Sequence, residues 1–253
     1  MKREFLYIAN WKMNKSLNDC LAFAVSLSEE AARLASRADT TLIICPSHVS
    51  IYPLSKVFAA TPVALGAQNC SRHGKGAFTG EISAQDLHEI GITYCIIGHS
   101  ERRTYHHKTD KEVAEKLVHL IDFDITPIIC IGETLEEFTA GKTIKVLDRQ
   151  LAPIFDVITS TISIPQELPF IVAYEPVWSI GTGKIASSEH LETAFAYIQS
   201  QIQRLSRELS WKLIYGGSTN AENITKLKEI PLIDGFLIGN ASLDFSELKK
   251  IVD

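Results

Sequence analysis

Membrane-length apolar runs are missing from this chain. Nothing in it reaches the roughly 18 consecutive apolar residues that a spanning helix needs, so no contact with a bilayer is expected. The basic start Met1-Lys2-Arg3 is followed only by the short apolar run Phe5 to Ala9, which is too brief for a signal peptide. Paired cysteines are absent as well. Cys20, Cys45, Cys70, Cys95 and Cys130 are odd in number and widely spread, with no Cys-x-x-Cys pair and no histidine at zinc spacing. A reduced, cytoplasmic compartment fits that usage, and no metal site is expected. Basic charge is also scarce: 25 Lys and Arg against 30 Asp and Glu leave a formal net charge of −5, which argues against a nucleic-acid groove. A negative chain that takes an anionic metabolite must do so with a local arrangement of donors. No Pro/Gly/Ser linker, low-complexity segment or sequence repeat divides residues 1–253, and a single domain is the expectation.

What is present is a recurring alternation. Eight short runs rich in Ile, Val, Leu, Tyr and Phe read as strands: Phe5 to Ala9, Thr41 to Cys45, Val63 to Ala67, Thr93 to Ile97, Thr126 to Ile131, Phe170 to Tyr174, Lys212 to Tyr215 and Gly235 to Ile238. They are nearly continuous in apolar character, as strands covered on both faces are. Helical patterns lie between them. Leu191, Ala194, Phe195, Ile198, Ile202 and Leu205 recur at helical spacing behind a capped start at Ser187-Ser188-Glu189. Leu17 to Arg37, Asp110 to Asp122 and Leu243 to Val252 read as further helices. Eight strand–helix repeats in about 250 residues predict an α/β fold closed into a (β/α)8 barrel, whose active site is built at the C-terminal ends of the strands.

The residues at those ends are polar or glycine. Asn10-Trp11-Lys12 follows the first run, Gly98-His99-Ser100-Glu101 the fourth, Gly132-Glu133-Thr134 the fifth, and Glu175 the sixth. Glu175 opens the stretch Tyr174-Glu-Pro-Val-Trp-Ser-Ile-Gly-Thr-Gly-Lys184, in which stiff Pro176-Val177-Trp178 and pliant Gly181-Thr182-Gly183 read as the two hinges of a lid beside a base. The same stretch also fits an ordinary strand-to-helix loop with a solvated glutamate. Gly216-Gly217-Ser218 and Gly239-Asn240-Ala241-Ser242 follow the last two runs, where barrels bind phosphate on exposed backbone N–H groups, and Gly181 can add another. His99 precedes a helix start, whose dipole disfavours imidazolium. Lys12 supplies an ammonium for an anionic substrate, Asn10 orients it, and Trp11 reads as packing. His73, His88, His106, His107 and His119 read as structural.

Seven segments together resemble the triosephosphate isomerase family: Asn10-Trp-Lys-Met-Asn14, Gly76-Ala-Phe-Thr-Gly-Glu-Ile-Ser83, Gly98-His-Ser-Glu-Arg-Arg103, Cys130-Ile-Gly-Glu133, Tyr174 to Lys184, Tyr215-Gly-Gly-Ser218 and Asp234 to Leu243. The resemblance implies interconversion of dihydroxyacetone phosphate and D-glyceraldehyde 3-phosphate, a step of glycolysis and gluconeogenesis, without metal or organic cofactor. It implies Glu175 as base and His99 as a neutral electrophile, the known division of labour in that family. Lys12 and Asn10 become substrate contacts and Glu101 a supporting carboxylate. Gly181, Ser218, Gly239 and Asn240 become the phosphate clamp. Residues Gln68 to Ser83 form a long loop, and the resemblance implies that Phe78 and Thr79 at its tip enter a second subunit, making a homodimer. Departures from the family pattern are Asn240 for a glycine, Ser179 for alanine, Lys108 for a buried acid, Gln199 for arginine and Ala9 for glycine. Another phosphosugar isomerase on the same barrel, or an idle barrel kept for binding, are the competing readings.

Overall fold

The computed structural model describes residues 4–35, 40–180, 185–205 and 208–253. Eight strands run β1 (Phe5–Asn10), β2 (Thr40–Cys45), β3 (Ala64–Ala67), β4 (Tyr94–Ile97), β5 (Thr126–Ile131), β6 (Phe170–Tyr174), β7 (Trp211–Tyr215) and β8 (Gly235–Ile238). Each pairs in parallel with the next, and β1 pairs with β8 from Leu6↔Gly235 to Ala9↔Ile238, which closes the barrel. Sequence and structure agree on all eight strands to within one residue at either end. The closed sheet has no edge to cover, and its strands are apolar on both faces.

Strand alternation sorts those apolar residues into two cores. Leu6, Ile8, Ile43, Cys45, Ile96, Ile128, Cys130, Ile171, Ala173, Ile214 and Leu237 pack together inside the barrel. Their neighbours, among them Tyr7, Ala9, Ile44, Cys95, Ile97, Val172, Tyr174, Tyr215 and Phe236, join a larger core under the helices. Each fully buried Leu, Ile or Val side chain contributes about 1.5–3 kcal/mol, so the period-2 register is strongly specified.

The helices among the described residues are α1 (Leu17–Ala35), α2 (His48–Phe58), α3 (Ala84–Glu89), α4 (Ser100–Tyr105), α5 (Asp110–Asp122), α6 (Leu135–Thr139), α7 (Thr143–Ser160), α8 (Ser188–Ile202), α9 (Ile224–Lys228) and α10 (Phe245–Val252). α5 matches its expected span because a capping box marks its start: Thr109 Oγ1 accepts from the Glu112 amide at 3.2 Å and Glu112 Oε2 accepts from the Thr109 amide at 3.0 Å. α7 was not evident from the pattern, since Pro153 interrupts it. The helix continues through the proline because Leu147, Leu151, Ile154 and Ile158 are buried on one face. Packing outweighs the lost hydrogen bond there. No helix among the described residues is long and apolar enough to cross a membrane.

Candidate active site

Continuing the strand alternation past the strand ends shows how the site assembles. In β1 the even residues point into the barrel, in β6 the odd ones, and in β8 the odd ones. Asn10, Glu175 and Gly239 are the next members of those inward series. His99 is out of phase with inward Ile96, and Gly98 at φ 73° makes the change of direction that turns it inward. The side chains meet in a cleft of about 190 Å³ lined by Asn10, Lys12, His99 and Glu175 together with Ser218, Gly239 and Asn240, and the Gly239 backbone lies close to the Lys12 side chain. At about 30 Å³ per liquid water that space suits a small metabolite.

Glu175 is 1% exposed. Its Oε2 accepts from the Ser100 amide at 3.1 Å, and its Oε1 lies 3.3 Å from His99 Nε2. Oε1 is buried and has no hydrogen-bond partner among the described residues. A buried carboxylate oxygen left in that state is costly and keeps its proton-accepting capacity for whatever occupies the cleft. Backbone contacts hold the residue in place. A side chain on Gly132 would put its Cβ 1.7 Å from the Glu175 carbonyl oxygen, and one on Gly216 would sit 2.7 Å from Glu175 Cγ. Gly216 therefore makes room for the acid, a role its place in a phosphate-type loop did not suggest. The buried amide of Gln150 brackets Gly132, accepting from its N–H at 2.8 Å and donating to its C=O at 3.2 Å.

His99 caps α4. Its Nδ1 accepts from the Glu101 amide at 3.2 Å and so carries no proton, which leaves the ring hydrogen on Nε2, the atom nearest Glu175. Lys12 adopts φ 50°, unusual for a side chain of its size. Asn10 Oδ1 accepts its amide at 3.1 Å, and Gln68 Nε2 donates to its carbonyl at 2.8 Å while also donating to Cys45 O at 3.0 Å. Asn10 thus contacts Lys12 through the backbone amide. Gln68 was missed because an amide at the head of a long loop has no sequence signature. Lys12 Nζ meets Glu101 Oε1 at 2.6 Å. The Glu101 side chain is 42% exposed, so the pair contributes at most about 1 kcal/mol and mainly directs the ammonium.

Along the same cleft, the backbone N–H groups of Ser218 and Asn240 have no backbone acceptor among the described residues. Asn240 opens a right-handed 3₁₀ turn and is not among the residues with positive φ, so tolerance of left-handed backbone is not what admits it there. Gly181, the remaining expected donor, lies outside the described residues. Trp11 is buried against Phe23 and donates to the Ser242 carbonyl at 3.2 Å, as packing requires.

The family model described as triosephosphate isomerase matches residues 5–253. The chain belongs to the triosephosphate isomerase family. It is 42% identical over 255 aligned positions to a triosephosphate isomerase of Albidiferax ferrireducens, spanning 99% of this chain and 98% of that one. It is 39% identical over 251 positions to one of Cupriavidus necator, 98% of each chain, and 38% identical over 258 positions to one of Alkaliphilus oremlandii, 99% of each. Similarity to triosephosphate isomerases therefore runs through every strand of the barrel. Against the family pattern, Ser179 is fully buried and its hydroxyl lies 3.4 Å from Tyr215 Oη. Lys108 is only half-buried and pairs with Glu112 Oε1 at 3.0 Å, one turn along. Gln199 is exposed on α8, and Ala9 is buried.

Proposed function

We propose that this protein interconverts dihydroxyacetone phosphate and D-glyceraldehyde 3-phosphate by proton transfer through an enediolate. The observation that carries the reading is the placement of a buried carboxylate oxygen of Glu175, without a hydrogen-bond partner among the described residues, 3.3 Å from a histidine nitrogen that bears hydrogen, in a cleft sized for a small metabolite. Glu175 takes the proton from the carbon beside the carbonyl. His99 Nε2–H and the Lys12 ammonium donate to the carbonyl oxygen as negative charge grows on it, and Glu101 and Asn10 aim Lys12. Ser218, Gly239, Asn240 and Gly181 hold the phosphate on backbone donors. A positioned base supplies about 10² to 10⁴ in rate and one oxyanion donor about 2.7–4 kcal/mol, so both ends of the dipole must be served. The scheme moves only protons and calls for no cofactor.

A homodimer and a cytoplasmic setting complete the reading. A second cleft of about 360 Å³ that also reaches Lys12 is lined by Met13, His48, Gln68, Glu101, Arg102 and Tyr105, and Arg102 Nε is buried without a partner among the described residues. Met13 and Tyr105 are largely exposed, and so in part is Phe78, which stacks on His73 in the loop of residues 68–83. The tip of that loop from a second copy, Phe78 and Thr79, fits this cleft and brings Thr79 toward Asn10 and Lys12. The five free, buried cysteines suit a reducing compartment.

A coupled assay on D-glyceraldehyde 3-phosphate, with and without chelator, tests the reading. Rapid, chelator-insensitive turnover supports it, and turnover at or below about 1 s⁻¹, the bottom of the usual enzyme range, favours the idle barrel. Analytical ultracentrifugation of wild type and Thr79→Arg tests the dimer. A wild type that sediments as a monomer while fully active would remove the second subunit from the site.

A further inference from the structure

Glu133, at the end of β5, is fully buried, and no step of the proposed reaction uses it. Its carboxylate accepts from the Tyr174 hydroxyl at 3.0 and 3.1 Å and from Trp178 Nε1 at 2.9 Å, and its carbonyl accepts the Val177 amide at 3.0 Å. One residue therefore holds the Tyr174 side chain on one flank of Glu175 and the Val177 backbone and Trp178 side chain on the other. Against this clamp rests His190, from the first turn of α8. Its Nε2 lies 2.7 Å from Tyr174 Oη and 3.4 Å from Glu133 Oε1. Phe138 and Trp178 meet its ring edge-on at centroid separations of 5.0 and 5.8 Å.

Counting protons sets the direction of this network. Tyr174 has one hydroxyl hydrogen, and an ionised carboxylate accepts only, so the O–H points at Glu133 and His190 Nε2 must carry the hydrogen it gives to Tyr174. Burial, and then the Glu133 charge, hold the Tyr174 pKa well above its ordinary value, so the hydroxyl keeps its proton. A hydroxyl that receives one hydrogen bond donates the next more strongly. The chain therefore runs from imidazole to phenol to carboxylate, and the indole closes it from the other side.

We propose that His190 is a positioning residue for Glu175: by donating to the Tyr174 hydroxyl it fixes the clamp that sets where the base stands. The inference rests on the reading of Glu175 as the catalytic base. It distinguishes His190 from the chain's other histidines, because only its ring bridges the start of α8 to both sides of the acid.

The test compares wild type, His190→Leu, His190→Gln, Tyr174→Phe and the His190→Leu/Tyr174→Phe double variant in the isomerase assay. His190→Leu is expected to lower kcat about tenfold with KM within about twofold, the pattern of a misplaced base rather than lost binding. His190→Gln, whose amide also donates, recovers most of the loss. In the Tyr174→Phe background, His190→Leu changes kcat by less than about twofold, since residues acting in one chain are not additive. Equal losses for His190→Gln and His190→Leu, additivity with Tyr174→Phe, or a change carried by KM would each overturn the proposal. Should His190→Leu fail to fold, His190→Asn, too short to reach the hydroxyl, gives the same contrast with His190→Gln. Emission from Trp178, taken as the difference from Trp178→Phe, reads the clamp without turnover: it shifts in His190→Leu and stays in place in His190→Gln. Unmoved emission in His190→Leu sinks this inference, whereas an inactive wild type with shifted emission sinks only the triose phosphate reading.

Discussion

The wall of the cleft that carries Glu175 and the wall that carries Lys12 face one another, yet they are held by different forces. Behind Glu175 stand two glycines whose backbones approach so closely that an added Cβ would collide with that residue, while buried Gln150 ties down the Gly132 backbone and buried Glu133 accepts from the Tyr174 hydroxyl beside the acid. Lys12 instead keeps an unusual φ of 50° through single hydrogen bonds, donating to the Asn10 side chain and accepting from Gln68, and its ammonium reaches a partly exposed carboxylate. Repulsion rises steeply as atoms approach, whereas hydrogen bonds tolerate a spread of distances. The base is therefore placed by sterics, while the cation is placed by contacts that a neighbouring loop can adjust.

The largest expected effect falls on the packed wall. Glu175→Asp withdraws the carboxylate from its post while keeping its charge, and kcat is expected to fall by about 10² to 10⁴ with affinity for inorganic phosphate nearly intact. Parallel loss of both would move the base elsewhere. Gly132→Ala tests the sterics directly: with the Glu175 carbonyl 1.7 Å from the new Cβ, the protein is expected to lose about 4 kcal/mol or more, visible as a lower urea midpoint or as insolubility. Near-normal stability with normal kcat would show that the wall yields. Gln68→Leu probes the other side. Removing two hydrogen bonds at about 1 kcal/mol each should lower the melting temperature by several degrees at most, well short of Gly132→Ala, while kcat/KM falls about tenfold or more. A melting loss as large as that of Gly132→Ala would erase the contrast between the walls. The smallest effect belongs to Asn240→Gly, expected within about tenfold of wild type in kcat/KM because the backbone there is right-handed and needs no glycine. A larger gain would mean that the Asn240 side chain obstructs the phosphate end.

Much of this was legible before any coordinates. Strand positions followed from short apolar runs, and Glu175, His99, Lys12 and Asn10 from polar residues at their ends; parity along the strand carries Asn10 and Glu175 straight to the rim, whereas His99 needs the turn at Gly98. Lys108 shows where legibility stops. Its position called for a buried acid, but it is only half-buried and finds Glu112 one turn further on. The importance of Gln68, Glu133, Gln150 and His190 was equally hidden. Each works through a partner distant in the chain, and a glutamine or histidine carries no mark of which backbone it will meet.

The amino-acid order determined the alternation of strands and helices, the closure into a barrel and the ring of polar residues at one end, since periodicity and capping are local properties of the chain. Only the tertiary structure decided that Gly132 and Gly216 serve Glu175, that Gln68 holds Lys12, and that His190 meets Tyr174. Such pairings depend on which strand ends become neighbours when the cylinder closes, and on ångström-scale approaches that no periodicity encodes.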